Sequence, residues 1–145
     1  MFDLQNNLGE VLLMEPADKA HTSWASSWLD VADFEGAVLS AIICALTGVD
    51  ASNYIVCKLQ ESDTTADGDA ADVAAADCIG AFAKIDATTK DSVVQSVGYK
   101  GAKRYVRVAG TYTGTAISAG ICGVVGRVGH ARTNPVTAPA AVAAT

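Results

Sequence analysis

The sequence predicts an all-β protein, a single-domain antiparallel β-sandwich or jelly-roll-like barrel with extended N- and C-terminal arms. Three observations carry that expectation. In "NYIVCKLQESD", residues 53–63, Ile55, Cys57 and Leu59 point one way while Lys58 and Gln60 point the other, the period of two that marks a half-buried strand. Segments of this kind recur between turns rich in Gly and Asp or Asn, the spacing of sandwiches and barrels. Half of the residues are hydrophobic but only 6% are aromatic, so the core is built from small and β-branched side chains and is thin and sheet-like.

At 145 residues the chain has the length of one domain. It divides into a lead-in, residues 1–25, a sandwich, residues 26–132, and a Pro- and Ala-rich arm, residues 133–145. The lead-in opens with "MFDLQNNLGEVLLMEP", which carries Asp3 and Glu10 and no basic stretch, and the longest apolar run, Ala37 to Leu46, is half a membrane span. Neither secretion nor membrane insertion is expected.

Both tryptophans lie in "EPADKAHTSWASSWLDVADFEG", where Ser26, Trp28 and Asp30 share one face of a strand and Trp28 has the character of a core or interface anchor. The run "GAVLSAIICALTG", Gly36 to Gly48, is long enough for a three-turn helix. Its β-branched Val38, Ile42 and Ile43, and the strand that follows it, favour a buried strand. Beyond residues 53–63, six carboxylates crowd between Glu61 and Asp77. They lack the spacing and the closing glutamate of a calcium loop, so a solvated hairpin loop turning at Asp67-Gly68 is expected, with no metal.

Three further strands, Ser92 to Gly98, Lys103 to Thr111 and Thr115 to Val125, are joined by short turns at "YKGA" and "TYTGT". In the run "AISAGICGVVGRVG", Ala116 to Gly129, the residues Gly120, Gly123, Gly126 and Gly129 would each cost a helix about 1 kcal/mol relative to alanine, which decides for strand. The tail "TNPVTAPAAVAAT", with Pro135 and Pro139, has nothing obvious to pair with and reads as an extended arm.

A net charge of -6 argues against general nucleic-acid binding, which draws its affinity from a basic surface. The one basic cluster is Lys100, Lys103, Arg104 and Arg107. Strand alternation puts Lys103, Tyr105 and Arg107 on one face and Arg104, Val106 and Val108 on the other, so the cations are expected to pair with carboxylates across strands or across a subunit boundary. The four cysteines form no C-x-x-C, and only His21 and His130 could join them, so buried reduced thiols are expected rather than zinc. Neither histidine sits in a nucleophile, zinc-protease or phosphate-cradling motif; no enzyme and no cofactor is expected.

The order of segments adds a different kind of information. "WLDVADFEGAVLSAII", then "KLQESDTTADGDAADVAAADCIGAF", then "VGYKGAKRYVRV", then a glycine-rich strand ending in "GHARTNPV", resembles a group of small tailed-bacteriophage virion proteins, some of them similar to capsid decoration, or cement, proteins. The resemblance spans about Trp28 to Val136. It implies an all-β domain assembled in the bacterial cytoplasm, located on the virion, joined to the major capsid protein and to itself as an oligomer with a trimer favoured, and free of catalytic residues. On that basis Trp24, Trp28 and Tyr99 are expected as hydrophobic interface anchors and Lys100, Lys103, Arg104 and Arg107 as electrostatic ones. Two other expectations stand beside it: a tail or head-to-tail component, and a carbohydrate-binding module in which Trp or Tyr faces stack on sugar rings.

Overall fold

Period-two patterning resolves into eleven strands in the computed structural model, which describes residues 7–19, 22–131, 139 and 141–145. They are β1 (Leu8–Asp18), β2 (Trp24–Ala25), β3 (Trp28–Asp30), β4 (Phe34–Thr47), β5 (Tyr54–Ser62), β6 (Ala71–Asp72), β7 (Cys78–Ile79), β8 (Val93–Tyr99), β9 (Tyr105–Thr113), β10 (Ala119–Ala131) and β11 (Ala141–Val142). Two antiparallel sheets pack into a β-sandwich. Sheet A has the order β1-β10-β4-β8-β7, and sheet B the order β11-β3-β9-β5-β6, with β2 also paired to β9.

The inward residues come from the alternation. Leu39, Ala41 and Ile43 of β4, Val97 and Tyr99 of β8 and Cys122, Val124 and Val128 of β10 meet Ile55, Cys57 and Leu59 of β5 and Val106 and Val108 of β9. In β10, Gly126 lies within about 3 Å of where an added methyl would strike Leu13 and Leu29, so the missing side chain there lets the two layers approach. Gly48 and Gly114 have φ of +83° and turn the chain after β4 and after β9. Asn53 joins those two turns, its Oδ1 accepting from the amides of Thr115 and Ala116 at 3.0 Å each.

Three sequence expectations need correction. The lead-in is not merely a lead-in, because Leu8–Asp18 forms an eleven-residue edge strand on β10. Its period is interrupted by irregularities between Leu12 and Met14 and between Met14 and Ala17, which hides the alternation. The strands β8, β9 and β10 are consecutive but not neighbours, since β8 and β10 belong to sheet A and β9 to sheet B; the turn at "YKGA" is a corner between layers. Finally, the end of the tail does find a partner. Ala141 and Val142 pair with Leu29 and Trp28, and Thr145 exchanges backbone bonds with Thr65 and Asp67. Residues 133–138 and 140 of the expected arm, Pro135 included, lie outside the described residues, as does His21.

Candidate functional site: a sealed face and an open one

The basic segment and the acidic loop meet on the outside of sheet B. Alternation in β9 sends Val106 and Val108 into the core and Arg107 outward, where its guanidinium lies 4.2 Å from the centre of the Trp28 ring. Arg107 also donates to Gln60 Oε1 at 3.1 Å and pairs with Asp67 from the loop. The loop is held down from its other side too, because Trp28 Nε1–H donates to the Thr65 carbonyl at 3.1 Å and Thr145 closes over Thr65. The result is that Trp28 is fully buried and Arg107 is 5% exposed, although both face away from the core.

The remaining cations of the cluster go to separate carboxylates. Lys103 pairs with Asp63, and Arg104 makes a two-pronged contact with Asp30, Nη2 to Oδ2 at 2.7 Å and Nε to Oδ1 at 3.2 Å. Partial burial pushes the Asp30 carboxyl up, but the Arg104 hydrogen bond and charge outweigh it and hold it below the usual range. Asp72 is lowered as well, chiefly by the Lys58 ammonium at 2.7 Å. Four carboxylates of the acidic loop region, Asp63, Asp67, Asp69 and Asp72, thus have partners in the same chain, Asp69 through the Thr64 hydroxyl at 2.6 Å.

The expected aromatic anchors are therefore corrected to internal positions. Trp24 packs flat on Gly110 of the facing strand and is buried. Tyr99 points inward from the end of β8, donates to Glu61 Oε2 at 2.7 Å and accepts from the Lys103 amide at 3.0 Å, so it pins the corner at "YKGA". Burial, with the hydrogen bond to Glu61, raises its hydroxyl above the ordinary phenol range. For Tyr99, burying a large ring and satisfying its one polar atom outweighs leaving it in water. Of the seven predicted interface residues, Trp28 and Arg107 come together, and Lys103 and Arg104 lie beside them. Trp24 is in the core, and Lys100 stands exposed on the rim of sheet A.

Sheet A presents the opposite picture, and this is the surface the sequence reading missed. Leu8 and Leu12 of β1, Val38 of β4, Ile79 of β7, Val94 of β8 and Ile121 of β10 are all exposed, and all lie on this sheet. Alternation assigns them to its outer side, since their neighbours Leu13, Leu39, Val97 and Cys122 face the core. A signal was present: "AVLSAIICAL" is apolar at odd and even positions alike, the pattern of a strand covered on both faces. One end of the face sinks into an apolar groove of about 430 Å³ over Gly36, Gly98 and Gly129, bordered by Leu8, Val38 and Ile79, with Lys100 and His130 at its mouth. His130 adopts a φ of +54°, unusual for a non-glycine residue.

Polar groups on this face are linked in a chain that crosses four strands. Arg127 Nε donates to Glu10 at 2.5 Å, its Nη1 donates to Ser40 Oγ at 3.2 Å, and Ser40 and Ser96 share a hydrogen bond of 2.7 Å. Among the described residues no group of three or more His, Cys, Asp or Glu is arranged to hold a metal, and no helix is long and apolar enough to cross a membrane. No protein-family model, curated protein or solved structure matches the chain.

Proposed function

We propose that the protein is a structural component of a tailed-phage virion that binds the outer surface of the capsid as a decoration, or cement, protein. The observation that carries the reading is the open apolar face of sheet A on a domain most of whose cations are paired with its own carboxylates. A surface of that kind is made for contact with protein rather than for chemistry on a small substrate. The acidic remainder of the surface disfavours sticking to packaged nucleic acid, and the order of segments resembling phage virion proteins supplies the setting. For the carbohydrate reading, Trp24, Trp28 and Tyr99 are buried and do not offer their ring faces to a sugar.

Capsids stripped of the protein and mixed with it at low and moderate salt test the proposal. The protein is expected to pellet with the capsids at a saturating copy number in the hundreds. Protein that stays in the supernatant at both salt concentrations rejects the cement role, and saturation near a dozen copies moves it to the head-to-tail region.

A further inference from the structure

We propose that the outer face of sheet A is a self-association surface, on which a second copy of this chain packs face to face about a two-fold axis. The inference rests on the same open face that carries the structural-protein reading and gives it a second copy of this chain as occupant, a two-fold pair in place of the trimer that the resemblance implies, so that capsid contact falls to the surface the pair leaves exposed. It starts from the contrast between the two sheets. The outer side of sheet B is roofed by the chain's own acidic loop and by Thr145, whereas none of the six exposed large hydrophobic residues on sheet A is covered by another described element.

The polar groups on that face are already suited to a dry environment. Glu10, Arg127, Ser40 and Ser96 are linked in sequence, so each keeps at least one partner within the chain when the face is covered. A solvent-facing sheet has no need of a cross-strand network whose central serine is 0% exposed.

Charge selects the occupant. The chain carries -6 overall, yet the charged residues that the groove and the strand register place on and around this face, Glu10, Asp18, Glu35, Lys100 and Arg127, sum to only -1 when His130 is neutral. Two copies therefore meet with little net repulsion here. The size agrees as well. Four strands spaced about 4.8 Å apart, over roughly ten residues rising about 3.3 Å each, give about 600 Å² in projection. That is of the order of the ~800 Å² per partner of a stable interface, since a ridged surface exceeds its projection.

Shape adds the two-fold axis. The glycine-floored groove lies at the end of the face formed by Leu8, Gly36 and Gly98, and the protruding Val94 and Ile121 lie at the other end. Register places Gly98 opposite Val38 and Val94 opposite Ile42, four residues or about 13 Å along β4. An antiparallel two-fold arrangement brings each copy's Val94 and Ile121 over the other's groove, the reciprocal contact that an isologous interface requires.

Sedimentation velocity of the full chain over a range from about 1 to 100 μM tests this. The wild type is expected to sediment with the mass of two chains. Val94→Lys puts a charge where an apolar side chain must enter the groove, and Gly36→Leu fills the groove at a position where an added Cβ meets nothing within 4 Å. Each is expected to raise the dissociation constant at least tenfold with an unchanged circular dichroism spectrum, while Thr111→Lys on sheet B leaves it unaltered. A chain that stays monomeric throughout, or an oligomer indifferent to both Val94→Lys and Gly36→Leu, overturns the inference. A monomer that still pellets with capsids overturns it and leaves the capsid reading standing, and a dimer that ignores capsids does the reverse.

Discussion

Arg107 shows how one residue's role depends on what covers it. From the sequence it is a cation on the outward side of a strand, worth little in water. In the fold its planar group is sandwiched between the Trp28 ring and the acidic loop, with Gln60 and Asp67 as hydrogen-bond partners. A lysine there keeps the charge but cannot stack and donate in two directions together. Arg107→Lys is therefore expected to lower stability by about 1–2 kcal/mol, read as a lower urea midpoint at unchanged slope. An unchanged midpoint would mean that the loop, not the guanidinium, seals Trp28. The sequence revealed the outward direction of Arg107 by alternation; it could not reveal the roof, which comes from residues forty positions away.

Strand pairs are the level at which glycine and aromatic residues explain each other. In the β2–β9 pair Trp24 stands directly opposite Gly110, and a methyl group on that glycine would lie 2.3 Å from the indole ring. The ring fills the place of the side chain that Gly110 lacks. Gly110→Ala is expected to push Trp24 out of its seat and cost about 1–3 kcal/mol, with a change in the near-ultraviolet circular dichroism of the indole. If the variant is as stable as the wild type with the same spectrum, the close packing claimed for this pair is wrong. The strand β5 was legible because its alternation runs from Tyr54 to Gln60, and β4 because of its β-branched residues and the strand that follows it. The strand β1 was not, because its two irregularities shift the inward side chain from one parity to the other.

Across the whole molecule the titrating groups divide by depth, and this sets the pH range of stability. Burial pushes the Cys57 thiol up to about 12, with the nearby Cys122 adding to it, and burial raises Cys122 and Tyr112 also. A group raised on folding contributes its full stability below its unfolded value, here 9.0 for the thiol, and that contribution is lost as pH rises toward the folded value. On the acid side the Lys90 and Lys84 ammonium groups hold the half-buried Asp86 at about 2, so its contribution is present above 3.8 and fades as pH falls through that lower value. Thermal melts of reduced protein are expected to show a melting temperature that declines above about pH 9, less steeply in Cys57→Val. A melting temperature that is flat to about pH 11 would contradict the burial of these groups.

The sequence by itself determined the class of fold, the two central strands β4 and β5, the glycine logic of β10 and the dispersal of the cations, because each rests on contacts between near neighbours along the chain. Only the tertiary structure decided which strands share a sheet, that Trp24, Trp28 and Tyr99 are buried, that Ala141 and Val142 pair with β3, and that among the described residues the large exposed hydrophobic side chains gather on sheet A. Alternation tells that a side chain leaves the strand on a given side. What lies on that side is set by loops and layers distant in sequence, and for a strand apolar on both sides, such as β4, the pattern cannot distinguish a core from a surface meant to be covered.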